Sequence, residues 1–325
     1  MSETFQKFFQ AIGKGRVLIT SHKNADPDAL CSAFALYNLI QTQYPEITLL
    51  ICFDGVSLLS QNIIKKFEIE LDSIENLQMD GIIIVDANVV EQIGSLENQI
   101  NWEKPVLIID HHVPHPNTQK FAQYSIIQPR AFATAELIFE LYQILNVPLS
   151  TKVASLICLG ILFDSRHLVL ADNKTIQIVH QLLEVGINYP EMVEFLRLPM
   201  DRSERISHLK AAQRIIIHEF NGWIVVISHV SSFQASACRA LIKLGADIAL
   251  VYGRQKDEIQ MSARATVEVA SKMNLNLAKD IMEKIGPIMH GEGGGHNTAA
   301  GCNGTDNLEE GLKRALELLK NKLSP

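Results

Sequence analysis

The chain has 325 residues, 47% hydrophobic and 20% charged, enough for one large or two medium globular domains. Its 29 Lys and Arg against 36 Asp and Glu leave a net charge of −7, which disfavours binding to extended duplexes through their phosphates. Five scattered cysteines (Cys31, Cys52, Cys158, Cys238, Cys302) without C-x-x-C spacing argue against zinc ribbons and a disulfide framework, and read as reduced, packed thiols.

The segment MSETFQKFFQAIGKG reads as a short amphipathic helix lacking the apolar core and cleavage site of a signal peptide. No apolar run approaches the roughly 20 residues needed to cross a bilayer. A cytoplasmic protein without a membrane partner is therefore expected. Four apolar runs follow: RVLITSH (16–22), ITLLICFD (47–54), GIIIVDAN (81–88) and PVLIIDHH (105–112). Alternating with helical patterns, they predict a parallel sheet covered on both faces. Each run ends in acids or histidines: His22, Asp54, Asp86, and Asp110 with His111 and His112. Ligands of such sheets gather beyond the carboxyl ends of the strands.

Residues 131–185 read as three helices interrupted by DSRHLVLADN, which carries Asp164. Residues 186–208 mix prolines with charges and read as a linker, partly helical. A second αβ pattern follows: strand GWIVVISHV, helix FQASACRALIKLG, strands ADIALVYGR and EIQMSARA, a helix near 275–286, the cluster GEGGGHNTAAG and a closing helix at 306–322. The fold class is thus α/β, with a first domain over 1–185, a linker over 186–208 and a smaller α/β domain over 209–325.

SHKNADPDAL packs His22, Asp26 and Asp28 into seven positions at a strand end. Asp26 suits an N-cap, with Pro27 in the first helical turn. That reading leaves His22 and Asp28 unexplained. Singly, Asp86 suits a turn, Asp164 a helix cap, and either histidine a structural role. Together, four segments offer carboxylates and imidazoles that could fill two divalent-cation sites sharing one carboxylate, and Mn²⁺ accepts both donor types.

HKNADPDA (22–29), VDAN (85–88), DHH (110–112) and FDSR (163–166) resemble, in order, the four motifs of the DHH phosphoesterase superfamily. GEGGGHNTAAG (291–301) resembles the glycine-rich motif of the DHHA1 domain that follows it in many members. Within the superfamily the chain is most similar to two-domain enzymes that hydrolyse short oligonucleotides (nanoRNA) and 3′-phosphoadenosine 5′-phosphate. The resemblance implies an active site in the cleft between the domains. It implies that His22, Asp26 and Asp86 hold one Mn²⁺ and that Asp28, Asp86, His111 and Asp164 hold a second, with Mg²⁺ or Co²⁺ as substitutes. His112 would either support the metal ligands from behind or contact phosphate, and Asp110 would orient the histidines, both in catalytic roles. Arg264, Gly293, Gly294, Gly295 and His296 would bind substrate. Short RNA or DNA oligonucleotides or small nucleotides are the implied partners, and a homodimer is compatible. A single-strand exonuclease, a cyclic-dinucleotide phosphodiesterase, a manganese pyrophosphatase and a catalytically silent nucleotide-binding protein are the alternatives. One departure is Pro27, where many relatives have glycine; proline suits a first helical turn. Asn88 receives no role.

Overall fold

The computed structural model describes residues 1–73, 78–197, 200–255 and 258–324, and the chain divides into two compact units, Met1–Leu198 and Pro199–Pro325. Unit one is built on five parallel strands: β1 (Arg16–Thr20), β2 (Thr48–Ile51), β3 (Gly81–Val85), β4 (Val106–Asp110) and β5 (Tyr124–Ile127). Their order is β2-β1-β3-β4-β5. The edge strand β5 was not among the expected runs, because YSII is four residues long and only Ile126 in it is fully buried.

Successive residues alternate between the sheet's faces. Val17, Ile19, Ile83, Val85, Leu107 and Ile109 join the larger core cluster, while Leu18, Ile82, Ile84, Val106 and Ile108 join a smaller one. Among the described residues, eight helices accompany the sheet: α1 (Ser2–Ile12), α2 (Pro27–Gln43), α3 (Leu58–Phe67), α4 (Thr118–Phe121), α5 (Thr134–Ile144), α6 (Thr151–Asp164), α7 (Asn173–Glu184) and α8 (Tyr189–Phe195). Helix α1 buries Phe5, Phe8 and Phe9 against the larger cluster. The smaller cluster is closed by a 3₁₀ segment, Val90–Asn98, through Ile93 and Leu96.

Helix α2 begins as a capped helix should. The Asp26 side chain accepts the N–H groups of Asp28 and Ala29, and Pro27 fills the first position, where no N–H is needed. Helices α2 and α6 are buried along most of their length. At Gly160 an added Cβ would lie 2.7 Å from Asp28 Oδ1 and 2.9 Å from Ala135 Cβ, so glycine here sets how closely α6 approaches α2 and α5.

The segment expected as a linker is mostly packed helix. Ile187, Met192 and Leu196 sit in the core of unit one, and α9 (Arg202–Gln213) belongs to unit two. Its prolines and charges masked three apolar residues at near-helical spacing.

Unit two has a six-stranded sheet: β6 (Ile216–Phe220), β7 (Trp223–His229), β8 (Ile248–Gln255), β9 (Glu258–Ala265), β10 (Gly293–Gly295) and β11 (Ala299–Gly304), in the order β10-β11-β9-β8-β7-β6. Only β7 and β8 run parallel; the other pairs are antiparallel. One face packs on α9 and α10 (Gln234–Lys243). The other packs on a layer that includes α11 (Val267–Lys272), α12 (Glu283–Ile285) and α13 (Leu308–Leu323). The helix expected near 275–286 is composite, with a π-helical stretch at Leu277–Met282 before α12. The glycine cluster contributes strand β10, which pairs with β11, Gly293 opposite Cys302 and Gly295 opposite Ala300.

Gly160→Ala is expected to destabilise unit one by about 1–3 kcal/mol, because the methyl group must displace a buried carboxylate or push packed helices apart. Thermal denaturation checks this, and an unchanged melting temperature would mean that α6 yields freely.

Candidate active site

The carboxyl ends of β1, β3 and β4 meet α2, α5 and α6 at one edge of the unit-one sheet, and this edge holds the acids and histidines. His22 follows β1, and Asp26 and Asp28 open α2. Asp86 follows β3, Asp110 ends β4 with His111 and His112 after it, and Asp164 ends α6. In this strand order the chain leaves β1 for β2 on one side and β3 on the other, the switch point where open α/β sheets form a crevice. Asp54, which follows the edge strand β2, lies outside the cluster: its carboxylate accepts the N–H of Ser95.

Among the described residues, potential ligand atoms gather into three groups, each within 4.8 Å: His22, Asp26 and Asp86; Asp28, Asp86, His111 and Asp164; and Asp86, Asp110, His111 and His112. Asp86 is common to all three, and its two oxygens face different ways. Oδ2 lies 3.6 Å from His22 Nε2, whereas Oδ1 lies 3.4 Å from His111 Nε2 and accepts the Thr134 hydroxyl at 2.9 Å. Its backbone is in the left-handed region at φ 56°, which turns the chain sharply off β3 at a cost of about 1 kcal/mol or more.

Asp26 divides its oxygens too. Oδ1 caps α2, while Oδ2 lies 3.8 Å from His22 Nε2. The choice between cap and ligand posed by the sequence is therefore not exclusive. Asp28 is fully buried, and its carboxylate accepts the N–H groups of Thr134 at 2.6 Å and Ala135 at 3.0 Å. It thereby caps α5, whose own N-cap, Ala133, has no side chain for the purpose.

The electrostatics describe a site overloaded with acid. Burial, then the charges of Asp86 and Asp164, push Asp28 well above the usual carboxylate range. Burial also raises Asp86, despite a hydrogen bond from His22. Burial works against the charged form of His22, but Asp26 and Asp86 prevail and push it up to about 10. His111 behaves alike: burial opposes the charge, and Asp164, Asp28 and Asp86 raise it to about 10. His111 Nδ1 faces the Ala131 carbonyl at 3.2 Å, which directs Nε2 toward the acids. That Nε2 is buried without a hydrogen-bond partner, although Asp164 Oδ2 lies 3.0 Å away. A mixed imidazole and carboxylate set with crowded, buried acids fits the binding of divalent metal.

Asp110 orients one histidine, not both as expected. Its Oδ1 faces His112 Nδ1 at 2.8 Å and the His112 N–H at 3.2 Å, whereas His111 is held by Ala131. Asn88 donates from Nδ2 to Asp110 Oδ2 at 2.5 Å and to the Val113 carbonyl at 3.1 Å. Burial works against an ionised Asp110, yet His112 and Asn88 hold it below the usual range. The bond to Asp110 in turn raises His112. Asn88, Thr134 and Gly160 thus border the cluster, and the sequence alone gives none of them a role.

In unit two, Arg264 lies near the end of β9 opposite Ala299 of β11, and the His296 N–H donates to the Ala299 carbonyl at 2.8 Å. The β10–β11 turn and Arg264 therefore share one end of the sheet. The three glycines differ. A Cβ at Gly293 would overlap the Met282 carbonyl, and Gly295 has φ +132°, but a Cβ at Gly294 would meet nothing within 4 Å. His296 is exposed and Arg264 partly so.

The DHH family N-terminal domain matches residues 16–161 and the DHHA1 domain matches residues 226–324. An uncharacterized protein of Methanocaldococcus jannaschii is 32% identical over 320 residues, covering 97% of this chain and 95% of that one. The bifunctional oligoribonuclease and PAP phosphatase NrnA of Thermus thermophilus is 23% identical over 324 residues, covering 96% and 91%. Among solved structures, an exopolyphosphatase-related protein from Bacteroides fragilis shares the fold, with a TM-score of 0.62 at 17% identity, covering 99% and 98%. The chain belongs to the DHH family and carries a DHHA1 domain, and it is a phosphoesterase.

Proposed function

We propose that the protein is a manganese-dependent hydrolase of phosphate esters in short 5′-phosphorylated oligonucleotides, linear dinucleotides or 3′-phosphoadenosine 5′-phosphate. The observation that carries the metal reading is the divided carboxylate of Asp86, with Oδ2 toward His22 and Oδ1 toward His111. His22, Asp26 and Asp86 would hold one cation, and Asp28, Asp86, His111 and Asp164 the other. When bound, the pair supplies a nucleophile from water near neutral pH and offsets charge on the phosphoryl oxygens. His112, its Nδ1 engaged by Asp110, presents Nε2 as a proton donor toward the phosphoryl group or the leaving oxygen. Unit one would carry catalysis and unit two would contribute substrate contacts, with Arg264 and His296 gripping phosphate and Gly294 admitting close approach. Similarity to NrnA over nearly the full length supports the substrate class, and the net charge of −7 agrees with small rather than extended substrates.

Product analysis with purified protein and Mn²⁺ tests the reading. Rapid cleavage of a 5′-phosphorylated dimer and of 3′-phosphoadenosine 5′-phosphate, with a long RNA poorly used, is expected. Stepwise digestion of the long RNA would replace it with the exonuclease, and preference for a cyclic dinucleotide or pyrophosphate would replace it with those alternatives.

Asp164→Asn should reduce kcat/KM by about 100-fold or more and abolish the rise in melting temperature that Mn²⁺ gives the wild type. A preserved thermal shift would remove Asp164 from the ligand set.

Proton linkage gives a pH test. In the folded, metal-free protein His22 and His111 rise from 6.5 to about 10. Their contribution to metal-free stability is therefore complete below about pH 6.5 and lost as pH rises through about 10. Cations that bind these nitrogens must expel the protons, so apparent Mn²⁺ affinity should climb from about pH 7 to about pH 9, with proton release. Calorimetry in buffers of different ionisation enthalpy reads both, and pH-independent binding would contradict imidazole ligation.

For unit two, Gly294→Ala should raise KM about tenfold by obstructing contacts to substrate, while the melting temperature stays that of the wild type. An unaltered KM would exclude close approach of substrate at Gly294.

A further inference from the structure

We infer that Arg130 and Arg166 form a phosphate subsite within unit one, reading a second phosphoryl group on a nucleotide whose other phosphate is hydrolysed; this rests on the hydrolase reading above. An open cavity of about 980 Å³ begins at His111, His112 and Asp164 and extends past the two arginines. Its remaining wall is largely apolar, with Phe132 and Phe163 partly exposed in it. Both arginines are exposed, and among the described residues neither enters an ion pair. The acids lining the same cavity are engaged elsewhere. Asp172 accepts the N–H and hydroxyl of Thr175 to cap α7, and Asp164 lies against His111. Two guanidinium groups without carboxylates, beside a cluster suited to phosphate chemistry, offer planar donors matched to an anion.

The backbone is a second observation. Arg166, His167 and Leu168 have φ of 52°, 58° and 68°, three successive residues in the left-handed region directly after α6. L-residues avoid this conformation, and runs of it are rarer than single residues. Local hydrogen bonds hold the turn, from the His167 N–H to the Leu162 carbonyl at 2.7 Å and from the Leu168 N–H to Ser165 Oγ at 3.1 Å. Continuing the helix from Asp164 would have placed residue 166 by helical geometry; the turn sets its direction independently. Strain of this kind concentrates at ligand sites.

The subsite defines a substrate class. A 5′-phosphorylated dinucleotide or a nucleoside bisphosphate carries a second phosphate one nucleoside away from the reacting one, and the aromatic wall suits the base or ribose between them. An unphosphorylated dinucleotide offers no such group. Recognition of the extra phosphate is therefore assigned to the catalytic unit, independently of Arg264 and His296.

The experiment compares kcat/KM for the 5′-phosphorylated and 5′-hydroxyl forms of one dinucleotide, using the full chain with Mn²⁺, in the wild type, Arg130→Gln, Arg166→Gln and the double variant. The wild type should prefer the phosphorylated form by about tenfold or more, mainly through KM. The double variant should lose that preference, and Arg130→Lys should recover some of it. Arg130→Gln lies outside the left-handed turn, so it tests the subsite even if the Arg166 variant misfolds. Full preference in the double variant overturns the inference. A wild type that cleaves bis(p-nitrophenyl) phosphate but treats the dinucleotides alike overturns the subsite alone. A wild type that cleaves no ester defeats the hydrolase reading and the subsite together.

Discussion

The organisation of unit one turns on two buried carboxylates. Asp28 is 0% exposed and Asp86 3%, and they stand in one group with His111 and Asp164. Burial first, and then neighbouring carboxylates, raise the affinity of both for protons, and this raised affinity is the signature of a place built for positive charge. The surroundings supply partial compensation. Two N–H groups of α5 point at Asp28, a threonine hydroxyl at Asp86, and the imidazoles of His22 and His111 flank Asp86. Helix α6 can pass close to Asp28 because residue 160 has no side chain.

The topology explains why these groups converge. A parallel sheet delivers every strand's carboxyl end to the same edge, and the order β2-β1-β3-β4-β5 puts β1, β3 and β4 side by side at its centre. Their terminal residues are separated by dozens of positions in sequence and by one strand spacing in space. The edge strands contribute little: β2 ends near Asp54, which fixes the Ser95 loop, and β5 leads through Gln128 to Arg130 at the cavity rim. The acids and histidines sit at the middle of this edge and the proposed phosphate subsite at its margin.

Much of this was legible in the sequence, for definite reasons. Strands buried on both faces are continuous apolar runs, so β1, β3 and β4 stood out together with the polar residues that end them. The short edge strand β5 and the exposed β6, whose Ile216 and Ile217 face solvent, have no such contrast. The cluster's members could be assembled because acids and histidines have few reasons to end core strands. The supporting residues could not. Nothing in the letters G, T or N says that Gly160 makes room for Asp28, that Thr134 donates to Asp86, or that Asn88 steadies Asp110. Those facts arise from three-dimensional neighbours more than 20 residues away in the chain. The left-handed turn at 166–168 was equally hidden, since Arg, His and Leu all disfavour it locally.

The double use of Asp28 has an evolutionary consequence. Because its carboxylate closes the end of α5 from 106 residues away, a mutation that removes it leaves two buried N–H groups unmatched in the same step in which, on the proposed reading, it removes a cation ligand. Drift toward an inactive descendant that keeps the fold is blocked at this position. Asp164, partly exposed and tied to no backbone amide among the described hydrogen bonds, imposes no such penalty. Lineages that shed catalysis but retain the scaffold should therefore lose the aspartate at the end of α6 well before the one that opens α2.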